Sequence, residues 1–405
     1  MKNILVFTST FPRFTTGDTT PGFVYELSKR LVQNSSKICI LTPRVPGTPG
    51  YEERDGMKIY RYPYFFTSKI EKLNDGAIMP NLKANKWLYF QVPFLLLFGF
   101  IYLAKIIKKE KINIVHTHWI IPQGLITVIY KKIYHSKIKI IGTSHGSDIF
   151  GLQGKIGTYL KRFTLKNIDT LTVVSNAIKK DALLLGMNAD TISILPMGTD
   201  TVYFSPKKYD ENIKKKYTIE GPFLLFVGRL AEVKGIQYLI KAIPRIIDKY
   251  PKTKLLIIGD GTLEKELKNL SSSLGINNSI IFTGGISHEE LPKYFATADI
   301  FIGPSIHTDD GAREGFGLTF VEAILSGCKT IGTNIAGITD IIEEGKTGFL
   351  IKEKNTKAIE ETILELIANT DFDTENARKI LENKFSWDII SKKYMEIINY
   401  LYIGK

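Results

Sequence analysis

The residues best able to do chemistry lie in one stretch, GAREGFGLTFVEAILSG, residues 311–327. Glu314 and Glu322 have seven residues between them, beginning with Gly315-Phe316-Gly317. The backbone N–H groups of Gly317 and Leu318 would open a helix, Leu318–Leu325, and the first N–H groups of a helix favour an anion such as phosphate. Glu314 falls in the loop before that helix and Glu322 about one turn inside it. One carboxylate could hold the hydroxyls of a sugar and the other those of a ribose. Upstream, GRLAEVKG sets Arg229 and Lys234 behind a strand and ahead of a helix that begins at Ile236. Two cations there suit a diphosphate.

The first half offers neutral polar groups instead. GTSHGSDIFG brings His145, Gly146 and Asp148 together at a strand end, where the imidazole could bond a substrate hydroxyl and the carboxylate could orient it. His116 and His118 share a face one strand earlier. His-x-His can be a metal pair, but no third ligand stands at informative spacing, so structural or acceptor-side roles are expected. After the first strand, Gly17, Pro21 and Gly22 lead into a helix without the G-x-G-x-x-G of a dinucleotide site. The Asp371-Phe372-Asp373 triplet lies between C-terminal helices and reads as accidental.

These residues need elements to hold them. Apolar runs alternate with helix-length amphipathic segments, from Ile4–Thr8 to Ile192–Leu195 in the first half and from Phe223–Gly228 to Phe349–Ile351 in the second. Runs apolar throughout are what a parallel sheet covered on both faces requires. Each half therefore reads as a doubly wound α/β domain. The expected division is a first domain over 1–200, a linker over 201–221, a second domain over 222–375 and a terminal helical stretch over 376–405.

The 405 residues carry a net charge of +13, and it is unevenly spread. Residues 1–200 hold 27 Lys+Arg against 13 Asp+Glu, whereas the remainder holds 27 against 28. A basic half points to an anionic partner: phospholipid, a phosphorylated substrate or nucleic acid. No RNP, helix-turn-helix or zinc-finger pattern supports the last. Trp87–Ile107 is a 21-residue apolar stretch followed by Lys108, Lys109 and Lys111. It is long enough to span a bilayer, but it also fits a buried helix or a surface-docking one. Two cysteines, Cys39 and Cys328, exclude a disulfide framework, and with no apolar leader at the N-terminus a cytoplasmic location is expected.

Together, G-R-L-x4-K-G, the G-D-G of IIGDG, F-x-G at Phe282–Gly284 and E-G-F-G-x4-E-A-x3-G resemble the family 4 retaining glycosyltransferases. H-x-H-W, T-S-H-G-S-D, V-S-N and L-P-M-G-T-D in the first half extend the resemblance over essentially the whole chain. It implies the GT-B fold: two Rossmann-like doubly wound domains facing across a cleft, with the last helix returning to the first domain. It implies a nucleotide-sugar donor, UDP- or GDP-linked, a glycan or lipid-linked acceptor, and no cofactor or metal. Arg229 and Lys234 would hold the diphosphate, Glu322 the ribose, and Glu314 with the backbone of Gly315, Phe316, Gly317 and Leu318 the sugar and phosphate. His145 would contact the donor sugar, Gly22 would border the phosphates, and Ile286 would meet the nucleobase through its backbone. His118 and Asp148 fall on the acceptor side. The pair Asp309–Asp310 makes the loop more acidic than the resemblance leads one to expect. A nucleotide-sugar 2-epimerase would share the fold and need no acceptor, and a two-lobed binding protein would lack turnover.

Overall fold

The structure, a computed structural model, describes residues 2–14, 20, 22–34, 36–74, 78–309, 311–369 and 371–403. The chain forms two compact units. The first comprises Met1–Val174, Ile178–Met197 and Ile390–Lys405, and the second Ser175–Ala177 and Gly198–Ile389.

The first unit is built on an eight-stranded sheet: β1 (Lys2–Phe7), β2 (Ser36–Pro43), β3 (Tyr51–Arg54), β4 (Met57–Tyr62), β5 (Ile114–His118), β6 (Lys139–Ser144), β7 (Thr170–Val173) and β8 (Ile192–Ile194). Their order is β3-β4-β2-β1-β5-β6-β7-β8. All pairings are parallel except β3 with β4. The buried runs Ile4–Phe7 and Ile114–His118 face helices on both sides, which is why they read as uninterrupted apolar segments. The sheet changes direction of growth between β1 and β5. At such a switch point, the loops beyond the strand ends diverge and leave room for a ligand.

The second unit repeats the plan with β9 (Phe223–Val227), β10 (Lys254–Ile258), β11 (Ile280–Gly284), β12 (Ile300–Gly303), β13 (Lys329–Thr333) and β14 (Phe349–Ile351), ordered β11-β10-β9-β12-β13-β14. Its switch point lies between β9 and β12. The helix Ile236–Lys249 follows β9 and buries Ile236, Leu239, Ile240, Ile243 and Ile246, an i, i+3, i+4, i+7 seam against the sheet.

Two expectations need correction. Residues 201–221, expected as a linker, belong to the second unit; there Asp210 N–H donates to Thr297 Oγ1 at 3.0 Å. Most of the helix Thr374–Phe385, expected with the returning segment, is also part of that unit, because the Arg378 guanidinium donates to the carbonyls of Thr201, Phe204 and Leu325. From Ile390 the chain groups with the first unit, burying Tyr394. For Trp87–Ile107 the sequence left three readings open. The helix Val92–Lys109 packs one seam, Leu95, Gly99, Leu103 and Ile106, into the core of the first unit. Only a third of its apolar window is buried, so it is not a helix enclosed on all sides.

One packing detail lends itself to a test. Gly303 and Gly332 are register partners on β12 and β13, and both lie against the ring of Phe320. A Cβ on Gly303 would stand 2.3 Å from Phe320 Cζ. Gly303→Ala is therefore expected to lower unfolding free energy by about 1–3 kcal/mol through overpacking. Phe320→Leu in the same chain should recover part of that loss, a coupling that a double-mutant cycle by urea unfolding measures.

Candidate active site

In the second unit, the strand ends at the switch point carry the charged residues. Lys234 lies in a short turn, Glu232–Lys234, and is followed by Gly235 at φ +62°. A Cβ on Gly235 would sit 2.0 Å from the carbonyl oxygen of Pro304, so only glycine lets the β9 loop approach the end of β12 this closely. Across that approach Lys234 Nζ donates to Glu314 Oε2 at 2.5 Å, and Ser305 Oγ donates to the same oxygen at 3.2 Å. Burial pushes the Glu314 carboxyl up. The adjacent Lys234 ammonium, the Ser305 hydroxyl and the Gly315 N–H outweigh burial and hold it below the usual carboxylate range. Lys234 has three N–H donors, so one bond to Glu314 leaves two for a ligand. Arg229 is exposed just beyond β9, and its guanidinium makes no ion pair among the described residues.

Glu314 leads into Gly315, Phe316 and Gly317, and the helix Leu318–Leu325 starts after Gly317 at φ +89°. No helix carbonyl precedes its first N–H groups, so Leu318 and Thr319 face outward unsatisfied by the helix itself. Phe316 is buried and anchors the loop by an edge contact with Phe385, ring centroids 5.5 Å apart. Glu322 is buried inside that helix, with His288 Nε2 3.5 Å from its Oε1. Tyr203 stacks on His288 at 6.0 Å, and Ile286 lies two residues earlier in the loop after β11. Sequence reasoning missed His288, Tyr203 and Ser305. Ser305 lies two residues past the end of β12, and a polar residue near that strand end was a usable signal; the other two stand out by no spacing.

In the first unit the histidines are brought together. His118 Nδ1 lies 3.0 Å from His145 Nε2, with the rings stacked at 12°. His116 rests against His118, centroids 4.4 Å apart, and its Nε2 meets Thr143 Oγ1 at 2.7 Å. His145 is half-buried, flanked by Trp119 at 4.8 Å and by Phe23 at 4.9 Å. Gly22 caps the helix Phe23–Gln33, with nothing within 4 Å of where its Cβ would be, so this helix start and His145 share one locality. Gly17 and Pro21, named with Gly22 from the sequence, lie outside the described residues, as does Asp310.

The two acceptor-side assignments do not survive as direct contacts. His118 is fully buried and reaches outward only through His145. Asp148 is buried too: its Oδ2 accepts Ile120 N–H at 2.6 Å and its Oδ1 accepts the Ser144 hydroxyl at 2.7 Å. Burial raises its carboxyl pKa against those bonds. Asp148 clasps the loop after β5 to the end of β6; the partner of His145 is His118, not this carboxylate. Burial also lowers the histidines, His116 and His145 to about 3 and His118 well below its ordinary 6.5. The site therefore offers neutral imidazoles at physiological pH.

Profile comparison then places the chain. Residues 209–387 match the family described as Glycosyl transferases group 1, and residues 22–203 match Glycosyltransferase Family 4. The chain belongs to the family 4 glycosyltransferases. It is 26% identical over 346 residues to the N-acetyl-alpha-D-glucosaminyl L-malate synthase of Bacillus anthracis, covering 82% of this chain and 88% of that one. It is 25% identical over 266 residues to a GDP-mannose-dependent alpha-(1-6)-phosphatidylinositol monomannoside mannosyltransferase of Mycobacterium tuberculosis, covering 64% and 69%. Among solved structures, sucrose-phosphate synthase from Thermosynechococcus elongatus matches with a TM-score of 0.82 at 18% identity over 100% of both chains. Anabaena HepE in complex with UDP matches at 0.74 and 16%, over 98% of this chain and 100% of that one. These likenesses establish the GT-B glycosyltransferase fold for both α/β units.

The buried histidines give a stability prediction with a definite sign. A group whose folded pKa is depressed leaves the unfolded chain binding more protons, so stability is present above the unfolded value and lost as pH falls. For His116 that window runs from 6.5 down toward about 3. At pH 5 its share of the loss is about 2 kcal/mol. His116→Gln, which keeps an amide donor near the Nε2 position, should show a shallower decline in unfolding free energy between pH 7.5 and pH 5 than the native chain. An unchanged slope would show that His116 titrates normally.

Proposed function

We propose that this glycosyltransferase is a retaining hexosyltransferase. It moves a sugar from a nucleotide-diphosphate-sugar, UDP- or GDP-linked, to a hydroxyl of a glycan or lipid-linked acceptor. The observation that carries the reading is the Lys234–Glu314 pair at the β9/β12 switch point, facing the open start of the helix Leu318–Leu325. A cation, a carboxylate and outward N–H groups at one strand edge are what a sugar diphosphate needs: positive charge for the phosphates, an acceptor for the sugar hydroxyls. Arg229 adds a second cation, Glu322 serves the ribose, and Ile286 contacts the base through its backbone. Gly315, Phe316, Gly317 and Leu318 bind sugar and phosphate through backbone groups. His145 contacts the donor sugar, beside Gly22. The UDP held by Anabaena HepE and the GDP-mannose dependence of the mycobacterial relative support a nucleotide-sugar donor.

In this reading transfer takes place on one face of the sugar. The leaving phosphate takes the proton of the acceptor hydroxyl, and Arg229 and Lys234 stabilise the charge that develops on it. The protein needs no nucleophile and no divalent metal. Lys234→Ala and Arg229→Ala should each weaken transition-state stabilisation by about 2–4 kcal/mol, measured as kcat/KM with UDP- and GDP-sugars. The native enzyme should keep its rate in EDTA. Near-native turnover in both variants removes the diphosphate assignment, and a loss in EDTA that added metal restores removes metal independence.

In this reading the acceptor lies at an anionic membrane surface on the cytoplasmic side, in polysaccharide or glycolipid assembly. Support comes from the exposed aromatic and aliphatic side chains Phe66, Trp87, Phe90, Leu97 and Ile101, with Trp87 68% exposed, beside Lys69, Lys86, Lys105 and Lys108. Each cation near an anionic surface contributes about 1 kcal/mol, and a few apolar insertions suffice for reversible binding. The full chain should co-sediment with phosphatidylserine-containing vesicles at low salt and be released at high salt. Trp87→Ser with Phe90→Ser should weaken binding. Failure to sediment overturns the docking reading, and release by detergent alone replaces it with a spanning helix.

A further inference from the structure

The hydrogen bond between His118 and His145 contains a choice that the surrounding burial decides. Both rings are neutral, so each carries one ring hydrogen. Between His118 Nδ1 and His145 Nε2, 3.0 Å apart, there is room for only one of them. If His145 Nε2–H donates, the hydrogen of His118 must sit on its Nε2. That nitrogen is enclosed and has no hydrogen-bond partner. An enclosed N–H without an acceptor is the rarer and costlier defect; a lone pair left unpaired is tolerated more often. If instead His118 Nδ1–H donates, the enclosed Nε2 is a bare lone pair, and His145 carries its hydrogen on Nδ1.

The neighbouring groups fit the second arrangement without conflict. His116 faces the same choice, because its Nδ1 is enclosed and partnerless. Placing its hydrogen on Nε2 lets it donate to Thr143 Oγ1. Thr143 can then donate to Thr172 Oγ1 at 2.6 Å, and Thr172 to the carbonyl of Gly142 at 3.4 Å. Every hydroxyl hydrogen in this chain finds an acceptor. His145 Nδ1 has no protein hydrogen bond among the described residues and is not among the enclosed nitrogen atoms, so it can reach a ligand.

We propose that His118 is a positioning residue that donates its Nδ1–H to His145 Nε2, fixing His145 in the tautomer that offers Nδ1–H to an oxygen of the bound substrate. This rests on the reading of His145 as a contact to the donor sugar. The ligand chemistry follows from the tautomer: the site takes an acceptor oxygen, such as a sugar hydroxyl or a phosphoryl oxygen, and gives no lone pair to a hydroxyl hydrogen. It works without a charge on the imidazole. The tilted rings of Phe23 and Trp119, with centroids 4.9 and 4.8 Å away, crowd the imidazole and oppose its turning over.

The test reads the proton before it reads the rate. Histidine-labelled protein without ligand, studied by two-bond proton–nitrogen correlation NMR at pH 7.5, should show His145 protonated on Nδ1. His118→Leu removes the donor and should move that hydrogen to Nε2. His118→Asn places an amide donor near the lost Nδ1 and should keep it on Nδ1. Turnover of UDP-glucose and GDP-mannose is then compared. His118→Leu should lose about threefold to tenfold, the scale of one neutral hydrogen bond, and His118→Asn should recover most of it. Native His145 protonated on Nε2 overturns the proposal, as does a His118→Leu chain with unchanged tautomer and rate. The expected tautomers without turnover of any nucleotide-sugar would support the proton assignment and overturn the glycosyl-transfer reading instead.

Discussion

The ring of Phe320 sits where three backbones have no side chain, and the geometry around Glu314 and Lys234 depends on that seat. Gly303, Gly332 and Gly317 all come so close that a Cβ would stand 2.3, 2.9 and 2.7 Å from its carbons. Gly303 and Gly332 face each other across β12 and β13, so the bare patch is a feature of the sheet itself. Burying the ring there is worth about 1.5–3 kcal/mol, and it fixes the first turn of the helix Leu318–Leu325 at the carboxyl ends of the strands. With the helix start pinned, the loop behind it must turn back, and Glu314 lands beside Lys234. An apolar contact thus sets the position of a charged pair that has no local reason to form.

The two units treat their buried titratable groups in opposite ways. In the second unit, Glu314 and Lys234 are both charged and stabilise each other, with Ser305 completing the carboxylate's bonds. Removing water from such a pair costs several kcal/mol per ion and is offset only by close geometry, so the pair is suited to a site that must hold charge in place. In the first unit, three histidines lie in contact where a second charge would repel the first, and burial keeps them neutral. They can supply directed hydrogen bonds but no field. The proposed assignment follows this difference, with the diphosphate given to the first arrangement and an uncharged sugar oxygen to the second.

Much of this was legible in the chain. The uninterrupted Ile- and Val-rich runs mark parallel strands covered on both faces, and each expected run is a strand in the structure. The antiparallel edge strand Tyr51–Arg54 was not legible: YEER is short, charged and half exposed, and it becomes a strand by pairing with β4. Lys234, Glu314 and Glu322 were recognisable because glycines and a helix start flank them in sequence. The partner of His145 was not, since His118 lies 27 residues away and Asp148 only three. Sequence proximity favoured the carboxylate; the order of β5 and β6 in the sheet favoured the imidazole. Asp148 was drawn off by Ile120 N–H, a backbone donor that no residue pattern reveals.

The helix Val92–Lys109 shows the limit of explaining a sequence by its own fold. Leu95, Gly99, Leu103 and Ile106 are needed: they form the seam against the sheet, and at Gly99 a Cβ would already touch Tyr62, Ile126 and Phe7 at 3.2–3.5 Å. Leu97 and Ile101 are not needed, because they stand about half exposed on another face and pack against little of the core. Polar residues there would leave the inner seam intact. Exposed apolar side chains scattered singly need no cause, but these continue into Trp87 and Phe90, stacked at 4°, and onward to Phe94, Phe65 and Phe66. Phe65 packs against the core, but Phe66, Trp87 and Phe90 are exposed, and burial in the first unit does not account for them. The exposed part of this aromatic band is therefore not explained by packing within the first unit, which is the observation behind the proposed docking to an anionic membrane surface.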